Sequence, residues 1–105
     1  MCGITGLLRP SASGEELETA VRPMIGALVH RGPDDEGAWV DSEIGVALGF
    51  RRLAILDLSP AGHQPMLSAC GRYAMVFNGE VYNFLELRRE LEPKGREWRA
   101  LAAVE

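Results

Sequence analysis

A chain of 105 residues has room for one domain and no second beside it. Its composition, 47% hydrophobic and 25% charged, is that of a globular protein and excludes a disordered chain. A net charge of −4 leaves no basic stripe for phosphates, which argues against nucleic acid, and no apolar stretch approaches the length of a membrane span.

The 12 glycines and 6 prolines predict many turns and short strands. Residues 3–8 (GITGLL) read as a short buried strand, too short and too poor in basic flanks for a signal peptide. Ser13 with Glu16 forms a capping-box signature, and Leu17, Val21, Met24, Ile25 and Leu28 then follow helical spacing. Pro23 predicts a kink or a restart, and Gly32-Pro33 the end of that helix. From Gly37 the period becomes two: Ile44, Val46, Leu48 and Phe50 alternate with Gly45, Ala47 and Gly49 as a half-buried strand. Residues 53–56 form another apolar run, closed by a loop over 57–62, and residues 73–77 a further strand. Asn83 with Glu86 repeats the capping pattern before a helix faced by Phe84, Leu87 and Leu91, which Pro93 and Gly95 terminate. Trp98, Leu101 and Ala102 could add a helical turn. Strand, helix, several antiparallel strands and helix make an α+β chain.

Five features could carry chemistry. Removal of Met1 would put a thiol and a free α-amine together on Cys2. Such amines titrate near neutrality and can activate their own side chain, the logic of the N-terminal nucleophile. The plainer reading is a small buried hydrophobe on the first strand. Asn78-Gly79 fits a two-residue hairpin turn, but equally an oxyanion hole built from a side-chain amide and a backbone N–H. Arg51-Arg52 reads as a solvated pair, or as a guanidinium forked onto a carboxylate. His30 and His63 have no carboxylate or cysteine at ligand spacing, so no metal site is expected, and His30 suits a helix C-terminus. Cys70 lacks the neighbours that depress a thiol pKa, and two cysteines make no disulfide framework, which suits a reducing cytoplasm.

The four runs Met1-Cys2-Gly3-Ile4, His30-Arg31-Gly32-Pro33-Asp34, Arg52-Leu53-Ala54-Ile55-Leu56-Asp57 and Asn78-Gly79-Glu80-Val81-Tyr82-Asn83 occur in that order. Together they resemble the glutaminase domain of class II glutamine amidotransferases. Residues 58–66 (LSPAGHQPM) bring the resemblance nearest to glutamine-hydrolysing asparagine synthetases.

The resemblance implies an N-terminal-nucleophile hydrolase fold, two antiparallel sheets between helical layers (αββα). Residues 1–105 would be the N-terminal portion of that domain, incomplete at this length. It implies hydrolysis of the glutamine side-chain amide to glutamate and ammonia through a Cys2 thioester, with Asn78 and Gly79 holding the oxyanion. Arg52 would bind the substrate α-carboxylate, while Leu53, Ala54, Ile55, Leu56 and Glu80 seat the remainder. The segment from His30 to Asp34 would shape the site wall. No cofactor is expected in this segment, since ATP and Mg would belong to a synthetase domain or subunit that receives the ammonia.

Two departures stand out. Phe50 replaces a histidine common before the arginine pair, and no Asp follows Asp57, where the family carries a Ser-Asp-Thr-Glu run whose Asp binds the substrate ammonium. The competing expectation is therefore an inactive amidotransferase remnant, acting at most as an interaction module through open sheet edges.

Overall fold

A computed structural model describes residues 1–55 and 57–96. Seven regular elements follow one another: β1 (Gly3–Leu8), α1 (Gly14–Gly26), β2 (Asp35–Asp41), β3 (Val46–Arg52), β4 (Met66–Leu67), β5 (Ala74–Met75) and α2 (Phe84–Leu91). Short 3-10 turns lie at Pro60–Gly62 and Glu92–Lys94. The architecture is α+β, with a three-stranded antiparallel sheet ordered β1-β3-β2 and a two-stranded sheet β4-β5. Leu56 and the tail bearing Trp98, Leu101 and Ala102 lie outside the described residues. No described helix is long and apolar enough to cross a membrane.

α1 begins as the capping box requires. Ser13 Oγ accepts from the Glu16 amide at 3.1 Å, and the Glu16 carboxylate accepts from the Ser13 amide at 3.3 Å. Leu17, Val21 and Ile25 stand one turn apart and form the buried stripe. They pack on Ala47 of β3, with Leu7, Ala38 and Val40 around them. The helix runs through Pro23, which faces solvent, without a break. It ends earlier than Gly32-Pro33: Ala27 is the C-cap, and tight turns carry the chain to Arg31. His30 is therefore exposed beyond the helix and caps nothing in it.

β3 is the central strand, and its alternation is real, yet the side facing the helix is the small one. Ala47 and Gly49 lie under α1, where small residues let the helix approach the sheet. The bulky partners Val46, Leu48 and Phe50 point the other way, toward the side shared with Ile4, Leu8 and Trp39. Phe50 is fully buried, whereas Ile4 and Leu8 remain exposed. β2 carried no readable signal because its residues are apolar on both faces after two acids. Those acids are satisfied by distant partners instead: Glu36 meets Arg51 of β3 at 2.5 Å, and Asp35 meets His63, just after the 3-10 turn at Pro60–Gly62, at 2.6 Å.

The second half differs more from expectation. The strand over residues 73–77 shrinks to Ala74–Met75. Asn78-Gly79 is no hairpin turn, since neither residue has the positive φ that a type I′ turn needs and no strand follows among the described residues. Asn83 precedes α2 but makes no side-chain cap, because its backbone (φ −95, ψ 28) is not the extended form that aims the amide at the helix. Phe84, Leu87 and Leu91 do share a half-buried face, and Gly95 closes the following 3-10 turn at φ +75.

Candidate active site

The antiparallel register sets Gly3 against Arg51, so the residue before β1 meets the residues after β3. Cys2 is 2% exposed there. Its Sγ accepts from the Leu53 amide at 3.4 Å and lies 3.8 Å from the Leu53 carbonyl, to which the thiol can donate. Met1 projects outward at 72% exposure and forms part of the wall of a cavity of about 320 Å³. Besides Met1, the cavity is bounded by Cys2, Leu53, Ile55, Asn78, Gly79, Glu80 and Tyr82. Its volume sits at the small end of ligand pockets, right for one small molecule. The N-terminus, the loop after β3 and the segment before α2 thus converge on one cavity.

The loop from Leu53 to Ile55 is held by the motif that precedes β2. Asp34 Oδ2 accepts from the Ala54 amide at 2.8 Å, and the Asp34 amide donates to the Arg52 carbonyl at 3.0 Å. Arg51 fixes the same motif from the other side, donating from Nε to the Gly32 carbonyl at 2.7 Å while its Nη1 binds Glu36. A solvated arginine pair is therefore ruled out: both guanidinium groups are buried.

Arg52 takes a different course from its neighbours. Its guanidinium donates to the Ser59 carbonyl at 2.7 Å and to the Asp57 carbonyl, stapling the loop that follows. With Ala54 it lines an adjoining cavity beside Asp34, Asp35 and His63, not the one at Cys2. The structure thus gathers Cys2, Leu53, Ile55, Asn78, Gly79 and Glu80, and leaves Arg52 and Ala54 next door. Tyr82 and Met1 are cavity residues that the roles assigned from sequence passed over. Tyr82, 89% exposed, was visible only as a letter in the Asn78 motif.

Cys70 is exposed in the β4–β5 connection, outside the lining of this cavity, and has the neighbours that the sequence did not offer it. The Ser68 hydroxyl, 3.4 Å away, and the Arg72 backbone hold its pKa below the ordinary thiol value. Local turn geometry supplies these contacts, so no charged neighbour announced them. His63 likewise has a carboxylate partner, Asp35, brought to it across the chain. Among the described residues, no three His, Cys, Asp or Glu side chains are grouped to hold a metal ion.

A buried N-terminal thiol beside an Asn-Gly segment is a distinctive arrangement, and comparison with known proteins decides its family. The glutamine amidotransferase domain family matches residues 1–105. The chain belongs to that family. Asparagine synthetase [glutamine-hydrolyzing] 1 of Bacillus subtilis is 43% identical over 97 residues, covering 90% of this chain and 15% of that protein. Asparagine synthetase [glutamine-hydrolyzing] 3 of the same organism is 36% identical over 109 residues, covering all of this chain and 17% of its own length. Amidase chry2 of Gibberella zeae is also 36% identical, over 104 residues, covering 87% of this chain and 15% of that protein. The chain accordingly spans only 15–17% of the length of these relatives.

Proposed function

We propose that this chain performs the glutaminase half-reaction of an asparagine-synthetase-like amidotransferase. The observation that carries the reading is the cavity shared by Cys2 and Asn78-Gly79. With Met1 removed, the Cys2 α-amine takes the thiol proton, and the sulfur attacks the side-chain amide carbon of glutamine. The tetrahedral oxyanion is met by the Asn78 side-chain N–H and the Gly79 backbone N–H. The amine returns the proton to the departing nitrogen, ammonia leaves, and water hydrolyses the glutamyl thioester to glutamate.

Seating of the substrate follows from charge. Glu80 is the cavity's acidic wall and faces the α-ammonium. Arg52 supplies the α-carboxylate clamp by turning from the adjoining cavity toward Cys2 and exchanging the neutral carbonyls of Asp57 and Ser59 for a charged acceptor, the stronger partner of a guanidinium. Backbone groups of Leu53, Ala54, Ile55 and Leu56 complete the seat. ATP and Mg belong to a synthetase portion, which receives the ammonia in the cytoplasm. The half-open sheet face bearing Ile4, Leu8, Trp39 and Leu48 is where the second sheet of the αββα layering would lie.

The test is direct. Met1-processed protein incubated with glutamine is expected to release ammonia and to carry a glutamyl adduct on Cys2, and Cys2→Ala to do neither. Processed, folded protein that releases no ammonia would refute the reading. The exposed Ile4 and Leu8 favour the second reading, an association module. A concentration-dependent dimer without glutaminase activity would select it.

A further inference from the structure

Gln64 takes no part in the chemistry above, yet its side chain is completely buried, at 0% exposure. A buried primary amide is costly unless its donor and acceptor are matched. Both ends are matched by a single residue. The Phe77 amide donates to Oε1 at 2.6 Å, and Nε2 donates to the Phe77 carbonyl at 3.3 Å. This is the pairing one strand residue gives another, made by a side chain. β5 stops at Met75, so Gln64 supplies the rung that the ladder lacks.

The same residue is anchored on the main sheet. Its carbonyl lies against Gly37 of β2, where any Cβ would collide with that oxygen and come within 3.0 Å of the His63 ring. Only glycine lets the segment sit so close. On the other side, the Phe77 ring lies where a Cβ on Gly79 would be, 2.9 Å from its nearest ring carbon. A continuous path therefore runs from β2 through Gln64 and Phe77 to the Asn78-Gly79 segment. β2 and β1 are both paired to β3, so that path ends on the sheet that places Cys2.

We propose that Gln64 is a positioning residue that sets the oxyanion-binding segment at its working distance from the Cys2 thiol. The proposal rests on the glutaminase reading above. It gives Gln64 an effect on transition-state stabilisation with no contact to substrate. A misplacement of about 1 Å at such a site lowers rate by roughly 100-fold, comparable to removal of one oxyanion donor.

Two variants and two readouts test it in the full chain. Gln64→Met keeps the volume and removes both hydrogen bonds. Gln64→Glu restores them when neutral, since a carboxylic acid has one donor and one acceptor, and burial favours the neutral form. The first readout is amide hydrogen exchange. In Gln64→Met, exchange at Phe77 is expected to accelerate at least tenfold while Leu48 in β3 stays protected. The second is steady-state glutaminase kinetics. Gln64→Met is expected to lose about 100-fold in kcat with KM within about threefold. Gln64→Glu should recover a large part of kcat, less of it as pH rises and the carboxyl ionises.

Unchanged Phe77 exchange, loss of protection throughout β3, a rise in KM alone, or identical behaviour of the two variants at every pH would each overturn the proposal. If wild-type protein releases no ammonia, the glutaminase reading fails first. The exchange arm then decides separately whether Gln64 holds residues 77–79.

Discussion

Replacement of Asp34 by alanine isolates how the wall motif governs the thiol. Asp34 contributes one charge-assisted hydrogen bond, 2.8 Å from its carboxylate to the Ala54 amide. Such bonds are worth about 1.5–3 kcal/mol when sheltered, but Asp34 is exposed, and solvent reduces this to about 1 kcal/mol. Global stability should fall by no more than that, a drop of roughly 4–8 °C in Tm for a chain of this size. The local consequence is larger than the global one. Leu53, whose amide sits 3.4 Å from Sγ, is one residue from the lost bond, and opening of this loop would uncover Cys2, which is 2% exposed. Cheapening that opening by about 1 kcal/mol raises the open population about fivefold. Alkylation of Cys2 by iodoacetamide, followed by mass spectrometry, should therefore accelerate about fivefold in Asp34→Ala. Asp34→Asn, which keeps an acceptor oxygen, should give a smaller increase. A lowered Tm with an unchanged Cys2 alkylation rate would refute the reasoning, because the bond would then steady something other than the thiol's cover.

Three further outcomes are expected. Glu80→Gln removes the acidic wall of the cavity and should raise KM for glutamine about tenfold, the discounted loss of one ion-pair partner at an exposed site, with kcat little altered; initial-rate kinetics would show it. Ser68→Ala removes the largest cause of the lowered Cys70 pKa, so the pH at which Cys70 becomes half-reactive toward an alkylating agent should move upward. Leu17→Ala empties the centre of the α1–β3 packing and should cost about 3 kcal/mol in urea unfolding, since Leu17 is fully buried against apolar partners.

The sequence carried the features that local physics determines. The capping box of Ser13 and Glu16, the stripe of Leu17, Val21 and Ile25, and the strand over residues 3–8 depend on neighbours within a few positions, and all three form there, although Leu28 falls beyond the helix and the strand read as buried leaves Ile4 and Leu8 exposed. What failed was decided at long range. β2 is a strand because β3 pairs with it, and its acids find Arg51 and His63 only after folding. The segment over residues 76–80 stays irregular because a glutamine side chain, not a second strand, satisfies Phe77. At the site, the motifs named Cys2, Asn78 and Gly79, and the fold brings them to one cavity. The direction taken by the Arg52 side chain was not legible, because the carbonyls of Asp57 and Ser59 compete for it and no periodicity encodes that choice. Gln64 was hidden for a related reason, since a buried amide has no pattern until its partner is known.

The pairing of Gly3–Leu8 with Val46–Arg52 has a consequence for how this chain tolerates changes of length. The thiol's location is a matter of counting residues back from a fixed ladder. Insertion of one residue within β1, with Leu8 kept opposite Val46, would carry Cys2 outward by one strand rise of roughly 3.3 Å and turn it to the other face. An insertion between Arg9 and Ser13 would be absorbed before the helix begins and would leave the thiol where it is. Indel tolerance should thus change abruptly at Leu8: rigid on the side that leads to the nucleophile, permissive on the side that leads to α1.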